Sequence, residues 1–142
     1  MNPNYNQTIT IYNCLKAKDN VEGKDIWQKT VIENCFYKAH TSEVQNGTDI
    51  SKANTYTVRI RKHEKYLPYG EWKNLSSEER EGSFTISKGD MVIKGSCQEK
   101  IELKSPNTVA QILLRNKPDA FMVTAFADNT NHVVGKHYRI GG

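Results

Sequence analysis

The sequence predicts a mainly β fold, a small β-barrel or rolled antiparallel sheet with one short α-helix and a long inserted loop. Three observations predict it. Thr55-Tyr-Thr-Val-Arg-Ile-Arg61 alternates, with Tyr56, Val58 and Ile60 on one side and Thr57, Arg59 and Arg61 on the other, the period of a half-buried strand with a basic outer stripe. Two short β-favouring runs, 84–86 and 91–93, flank Lys88-Gly89-Asp90, which reads as a hairpin around a turn that needs glycine. Helical spacing is confined to one good stretch, 105–116, where Val109, Ile112, Leu113 and Asn116 share a face.

Taken in order, Thr8-Ile-Thr-Ile-Tyr12 alternates and is rich in β-branched residues, so the first strand lies there. Residues 16–24 are charged, contain Asp19-Asn20 and Gly23, and read as a turn. Residues 26–40 exceed a typical strand, and Glu33-Asn34 is where a bend or bulge is expected, because Asn tolerates positive φ. A helix competes for this stretch, but the Thr30-Val31-Ile32 cluster and the missing caps argue for strand. Residues 42–52 are polar around Asn46-Gly47 and read as an exposed loop with a turn.

The connection 62–81 is long for a compact domain. It carries Tyr66, Leu67, Tyr69, Trp72 and Leu75, too many large apolar groups for plain disorder, so either the domain or a partner covers them. Residues 96–104 read as an edge strand with Ile101 and Leu103 alternating. Ser105 is the expected N-cap of the helix, with Pro106 at its first position and Lys117-Pro118 ending it. Residues 120–126 form a buried strand, 128–131 a hairpin turn and 132–140 the returning last strand. Val58, Ile60, Ile93, Ile112, Val123 and Phe126 are the expected core.

The 142 residues suit a single domain, 1–142, since a second core would be too small to stand alone. Hydrophobic residues make up 37% and the mean hydropathy is −0.71, which implies a thin core and much loop. A protomer completed by its neighbours has such a composition, and so does a lone barrel with long loops. The excess of 20 Lys+Arg over 16 Asp+Glu permits contact with nucleic acid without demanding it.

Cys14, Cys35 and Cys97 are odd in number and form no Cys-x-x-Cys, so neither a disulfide framework nor a zinc knuckle is encoded. The N-terminus has no apolar core of a signal peptide and no run reaches membrane-spanning length, so a reduced cytoplasm is the expected compartment. Three matches to the glycosylation sequon, at Asn6, Asn46 and Asn74, then carry no meaning.

No complete catalytic constellation is visible, and the chain is read as a non-enzyme without cofactor or metal. Cys35 and His40 are five apart on a strand, hence on opposite faces, and lack an orienting third group. His63, His132 and His137 with Asp90 or Asp128 lack short ligand spacing. The densest basic run, Arg59, Arg61, Lys62, His63 and Lys65, precedes Tyr66, Tyr69 and Trp72. Basic residues interleaved with aromatics can form a platform for single-stranded nucleic acid. Glu64, Glu71, Glu78, Glu79 and Glu81 undercut the positive field, which favours a solvated strand face leading into a partner-contacting loop.

Several motifs carry a family resemblance in their order: Ile9-Thr-Ile-Tyr-Asn13, Lys29-Thr-Val-Ile32, Tyr56-Thr-Val-Arg-Ile60, the Tyr66-Leu-Pro-Tyr-Gly-Glu-Trp72 insertion, Gly89-Asp-Met-Val-Ile-Lys-Gly95, Phe121-Met-Val-Thr124 and the terminal His137-Tyr-Arg-Ile-Gly-Gly142. The chain resembles small proteins of tailed phages and prophages of low-GC Gram-positive bacteria. In plan it is similar to head-closure proteins, the stoppers of the head–tail connector. The resemblance implies a β-barrel subunit of a homo-oligomeric ring, a hexamer or dodecamer, in the virion neck after assembly in the host cytoplasm. Its partners would be other copies of itself, the portal or adaptor, tail proteins and the packaged DNA in the channel, with no membrane. It also implies a projecting loop, matched here to 62–81, so that Arg59, Arg61, Lys62, Lys65, Tyr66, Tyr69 and Trp72 become the candidates for channel or partner contact. A tail-completion or minor capsid protein is the neighbouring reading, and a small single-stranded nucleic-acid-binding β-barrel is the rival from another class.

Overall fold

The structure is a computed structural model that describes residues 3–47 and 49–142, with the side chains of 42–46 and 49–53 outside the description. Seven strands form one antiparallel sheet: β1 (Gln7–Leu15), β2 (Ile26–Asn46), β3 (Asp49–Arg61), β4 (Met91–Lys94), β5 (Ala120–Met122), β6 (Ala125–Asp128) and β7 (His137–Gly141). Their order across the sheet is β5-β4-β1-β2-β3-β7-β6. The two edges, β5 and β6, are separated in sequence only by Val123 and Thr124. The sheet must therefore curl until its edges nearly meet, which gives the predicted mainly β, rolled architecture as a half-barrel.

The curl is made on β2. Between the pairs Ile9–Ile32 and Gln7–Cys35, β1 advances two residues and β2 three, so β2 carries one extra residue. That bulge holds Asn34 at φ 59, where the sequence places it. Before the bulge β2 pairs with β1; after it, from Phe36 onward, β2 pairs with β3.

Inside the curl lie Ile9, Ile11, Ile32, Val58, Ile60, Val92, Phe121, Val123 and Ile140, with Phe84 and Ile86 crossing over them. A second apolar cluster covers the opposite face of β1, β4 and β5, where Tyr12, Met91 and Ile93 pack under Ile101 and Ile112. This half of the sheet is buried on both faces, so β1 is almost continuously buried despite its alternating sequence. Five of the six expected core residues are buried; Phe126, on edge strand β6, is half-exposed.

Several segments differ from expectation. Residues 42–52 are not a loop, because the β2–β3 ladder continues to the pair Asn46–Asp49, with Gly47 at φ 66. Ladder bonds use only backbone, so a polar ribbon forms once the turn is set. Runs 84–86 and 91–93 do not pair as a hairpin, although Gly89 (φ 94) does make the turn. Both edges of β4 are taken, by β1 and β5. The N–H groups of Thr85 and Ser87 go instead to the side chains of Asn13 and Asp90.

Residues 96–104 form no strand, because side chains take their backbone groups. The Cys97 N–H donates to Thr10 Oγ1, and the Glu99 carbonyl accepts from the Tyr12 hydroxyl. The helix expected from Ser105 begins at Val109. Thr108 is its N-cap, and Gln111 completes a capping box. The strand expected over 120–126 is broken at Val123-Thr124, where the chain crosses between sheet edges. The last strand starts at His137 rather than His132, leaving Val133 and Val134 exposed.

The described residues form three short α-helices where one is expected: α1 (Tyr69–Trp72), α2 (Ser77–Glu81) and α3 (Val109–Asn116). The first two lie in the 62–81 insertion. Ser76 caps α2 by accepting from the Glu79 N–H. No described helix is long and apolar enough to cross a membrane.

Candidate binding surface

The seven residues proposed for channel or partner contact divide into two groups. Tyr66, Tyr69 and Trp72 turn inward. Trp72 is fully buried. Tyr66 sits 4.2 Å, centroid to centroid, from the Tyr138 ring and also meets Phe84 and Phe126. The Tyr69 hydroxyl donates to Asp19 Oδ2 (2.7 Å) and accepts from the Lys16 N–H (3.2 Å). Burial pushes the Tyr66 and Tyr69 phenols up to about 12. The hydrogen bond from Tyr69, helped by Lys73, holds Asp19 below the usual carboxylate range. The insertion is thus packed onto the barrel, its aromatics forming a lid over the core. Lys62 and Lys65 are exposed beside it.

Arg59 and Arg61 stand on the outer face of β3, as the alternation predicts. Each guanidinium lies over an aromatic ring: Arg59 Cζ is 5.2 Å from the centre of Phe36, and Arg61 Cζ is 4.9 Å from the centre of Tyr5. The two rings are 6.3 Å apart. Cation–π contact thus ties each arginine to an aromatic ring.

The register places Arg59 opposite Phe36 on one side and opposite Arg139 on the other. Among the described residues the ion pairs are Lys73–Asp19 and Arg115–Glu99, so none of these three arginines has a carboxylate partner. The Arg59 Nε is shielded from solvent without an acceptor. The next row, Thr57, Gly141 and Ala125, is small across three strands. It floors a shallow cavity of about 370 Å³ that is also lined by Thr55, Ala127 and Arg139.

Sequence reasoning missed Tyr5, Phe36 and Arg139. Arg139 was within reach, since His137-Tyr-Arg-Ile alternates like the Arg59 strand. Tyr5 and Phe36 needed the register, which no local pattern gives.

The other constellations do not assemble. Cys35 is fully buried, its thiol pushed up to about 12 by that burial, while His40 is exposed. His63 packs edge-on against Phe84, and His137 lies 3.2 Å from the Asn129 amide. Among the described residues no three His, Cys, Asp or Glu side chains are grouped to hold a metal. Asp90 is buried in a structural role: it accepts from the Cys14 N–H (3.1 Å), the Asn13 amide (2.9 Å) and the Ser87 N–H (2.9 Å).

The chain belongs to the family of unknown function DUF6751, which matches residues 4–142. Neither the curated proteins nor the solved structures give a match.

Proposed function

We propose that the chain is a ring-forming structural subunit of the phage head–tail connector, a head-closure protein that joins the portal or adaptor to the tail and retains packaged DNA. The observation that carries this reading is the β2–β3 ribbon. From the pair His40–Thr55 out to Asn46–Asp49 the two strands pair only with each other, because β1 leaves β2 at Cys35 and β7 leaves β3 at Thr57. Seven residue pairs extend about 20 Å at roughly 3.4 Å per residue. A bare two-stranded ribbon is marginal in water, and its open edges invite pairing with another chain. A neighbouring subunit supplies what the ribbon lacks.

The motif order described above supports the same reading. The projecting element is then the ribbon, and the 62–81 insertion, packed on the core, is part of the barrel body. The rival nucleic-acid-binding barrel is favoured by one observation, the uncompensated arginines on β3 and β7, which a DNA-retaining ring would also use.

Solution mass tests the proposal. Light scattering across a wide concentration range is expected to show a closed ring of defined mass. A null allele in the phage genome is expected to give full heads that leak DNA and separate tails. A chain that stays monomeric at every concentration, with a null that still joins heads to tails, would refute it.

A further inference from the structure

We infer that the outer face of β3, β7 and β6 is a binding site for the sugar–phosphate backbone of nucleic acid, centred on Arg59 and Arg139. This goes beyond the ring reading and does not depend on it, since the site lies within one chain. Arg59 and Arg139 are directly opposite on neighbouring antiparallel strands. Like charges in that position repel, and no described carboxylate pairs with either. An oxyanion between the two guanidiniums removes the repulsion and accepts charge-assisted hydrogen bonds from them.

The arginines are also prepared for such a ligand. Stacking on Phe36 and Tyr5 fixes the guanidiniums of Arg59 and Arg61, so little side-chain freedom remains to be lost on binding.

The neighbouring row gives the backbone a path. Thr57, Gly141 and Ala125 leave a trough across three strands, and a Cβ at Gly141 would sit in ordinary contact with the Ala125 Cβ at 3.5 Å, so glycine there keeps the trough open. At about 4.8 Å between strands the trough spans roughly 10 Å, enough for two successive phosphates. Thr55 and Thr57 place hydroxyl-bearing residues along it, and Arg139 forms its wall. The two facing cations with no described carboxylate partner call for an anion at each, and a phosphate backbone supplies anions at regular spacing along its length.

Fluorescence anisotropy with a labelled mixed-sequence single-stranded 20-mer, its duplex and a polyglutamate peptide, each on the purified full chain, tests the site. Wild type is expected to bind an oligonucleotide. Arg59→Ala/Arg139→Ala is expected to weaken that binding at least about tenfold and to make the salt slope shallower by roughly 1.4, the share of two phosphate contacts. Arg59→Lys/Arg139→Lys should keep part of the affinity, and Lys117→Ala, next to α3, should keep all of it. Circular dichroism melts confirm that each variant is folded. No oligonucleotide binding by wild type at low salt, equal binding by the Ala pair, or a preference for polyglutamate would each overturn the site. Light scattering on the same samples reads ring formation separately.

Discussion

Asn13 and Asp90 meet inside the barrel, with the Asn13 amide 2.9 Å from Asp90 Oδ2 and both residues almost wholly shielded from water. They join β1 to the turn that precedes β4, and through Thr85 and Ser87 they hold the crossing segment 84–87 over the core. Burial pushes the Asp90 carboxyl up to about 6, against the pull of the Cys14 N–H, the Asn13 amide and the Ser87 N–H. In the unfolded chain the same group titrates near about 3.9. Between these values the folded state binds the extra proton. The stability this group contributes is therefore full below about pH 4 and lost as pH rises through about 6. Two units correspond to about 3 kcal/mol as an upper figure. Urea unfolding of wild type against Asp90→Asn should show the difference between them shifting in favour of the variant from pH 4.5 to pH 7. A constant difference across that range would contradict the argument. Asp19, Glu99 and Asp128 are held low by their hydrogen-bond and charge partners, and they act with the opposite sign at lower pH.

Trp72 gives the second prediction. It is fully buried in an insertion whose Tyr66 and Tyr69 also pack inward. Trp72→Ala should cost about 3–5 kcal/mol, the range for deleting a large aromatic from a core. Replacing 66–77 with a short Gly/Ser linker should prevent folding, and limited proteolysis should leave 69–80 uncut in the native chain. A linker variant with wild-type melting temperature would return the insertion to the status of a free loop.

The insertion also shows what was legible in the sequence. Its aromatics demanded cover, and the sequence left open whether the domain or a partner supplied it. The answer depended on Phe84, Phe126 and Tyr138, which lie 18 to 72 positions from Tyr66 in the sequence and meet it only through tertiary packing. Strands with strict alternation, such as 55–61, were readable because period and burial coincide there. The hairpin at 84–93 was misread because local pattern cannot tell that β4 has both edges occupied. The start of α3 was misread for a different reason: Thr108-x-x-Gln111 is a capping-box signature, and Ser105-Pro106 obscured it. On the candidate surface, Arg59 and Arg61 were readable from alternation, whereas their aromatic supports were not.

Asn34 carries the third prediction. It has a left-handed backbone at the bulge that redirects β2 from β1 to β3. Glycine adopts that conformation freely, whereas a β-branched residue does so at a cost of about 1–2 kcal/mol. Asn34→Gly should leave the melting temperature within a few degrees of wild type, and Asn34→Val should lower it clearly. Equal melting temperatures for the two would mean that the bulge moves or is not needed for the curl.

The fourth prediction separates the ribbon from the barrel. Thr41 and Asn54 are cross-strand partners, and the Thr41 hydroxyl donates to Asn54 Oδ1 at 2.8 Å. Joining these two residues directly by Asn-Gly removes the outer ribbon while keeping a two-residue turn suited to an antiparallel pair. The described members of both buried clusters all lie outside the removed segment. The shortened chain is therefore expected to fold with a melting temperature close to wild type. If neighbouring subunits complete the ribbon, the same chain should lose ring formation in light scattering and should fail to join heads to tails in a complementation assay. Loss of folding would show that the ribbon supports the barrel. A folded, shortened chain that still assembles and complements would remove the ribbon from the interface and with it the observation on which the connector reading rests.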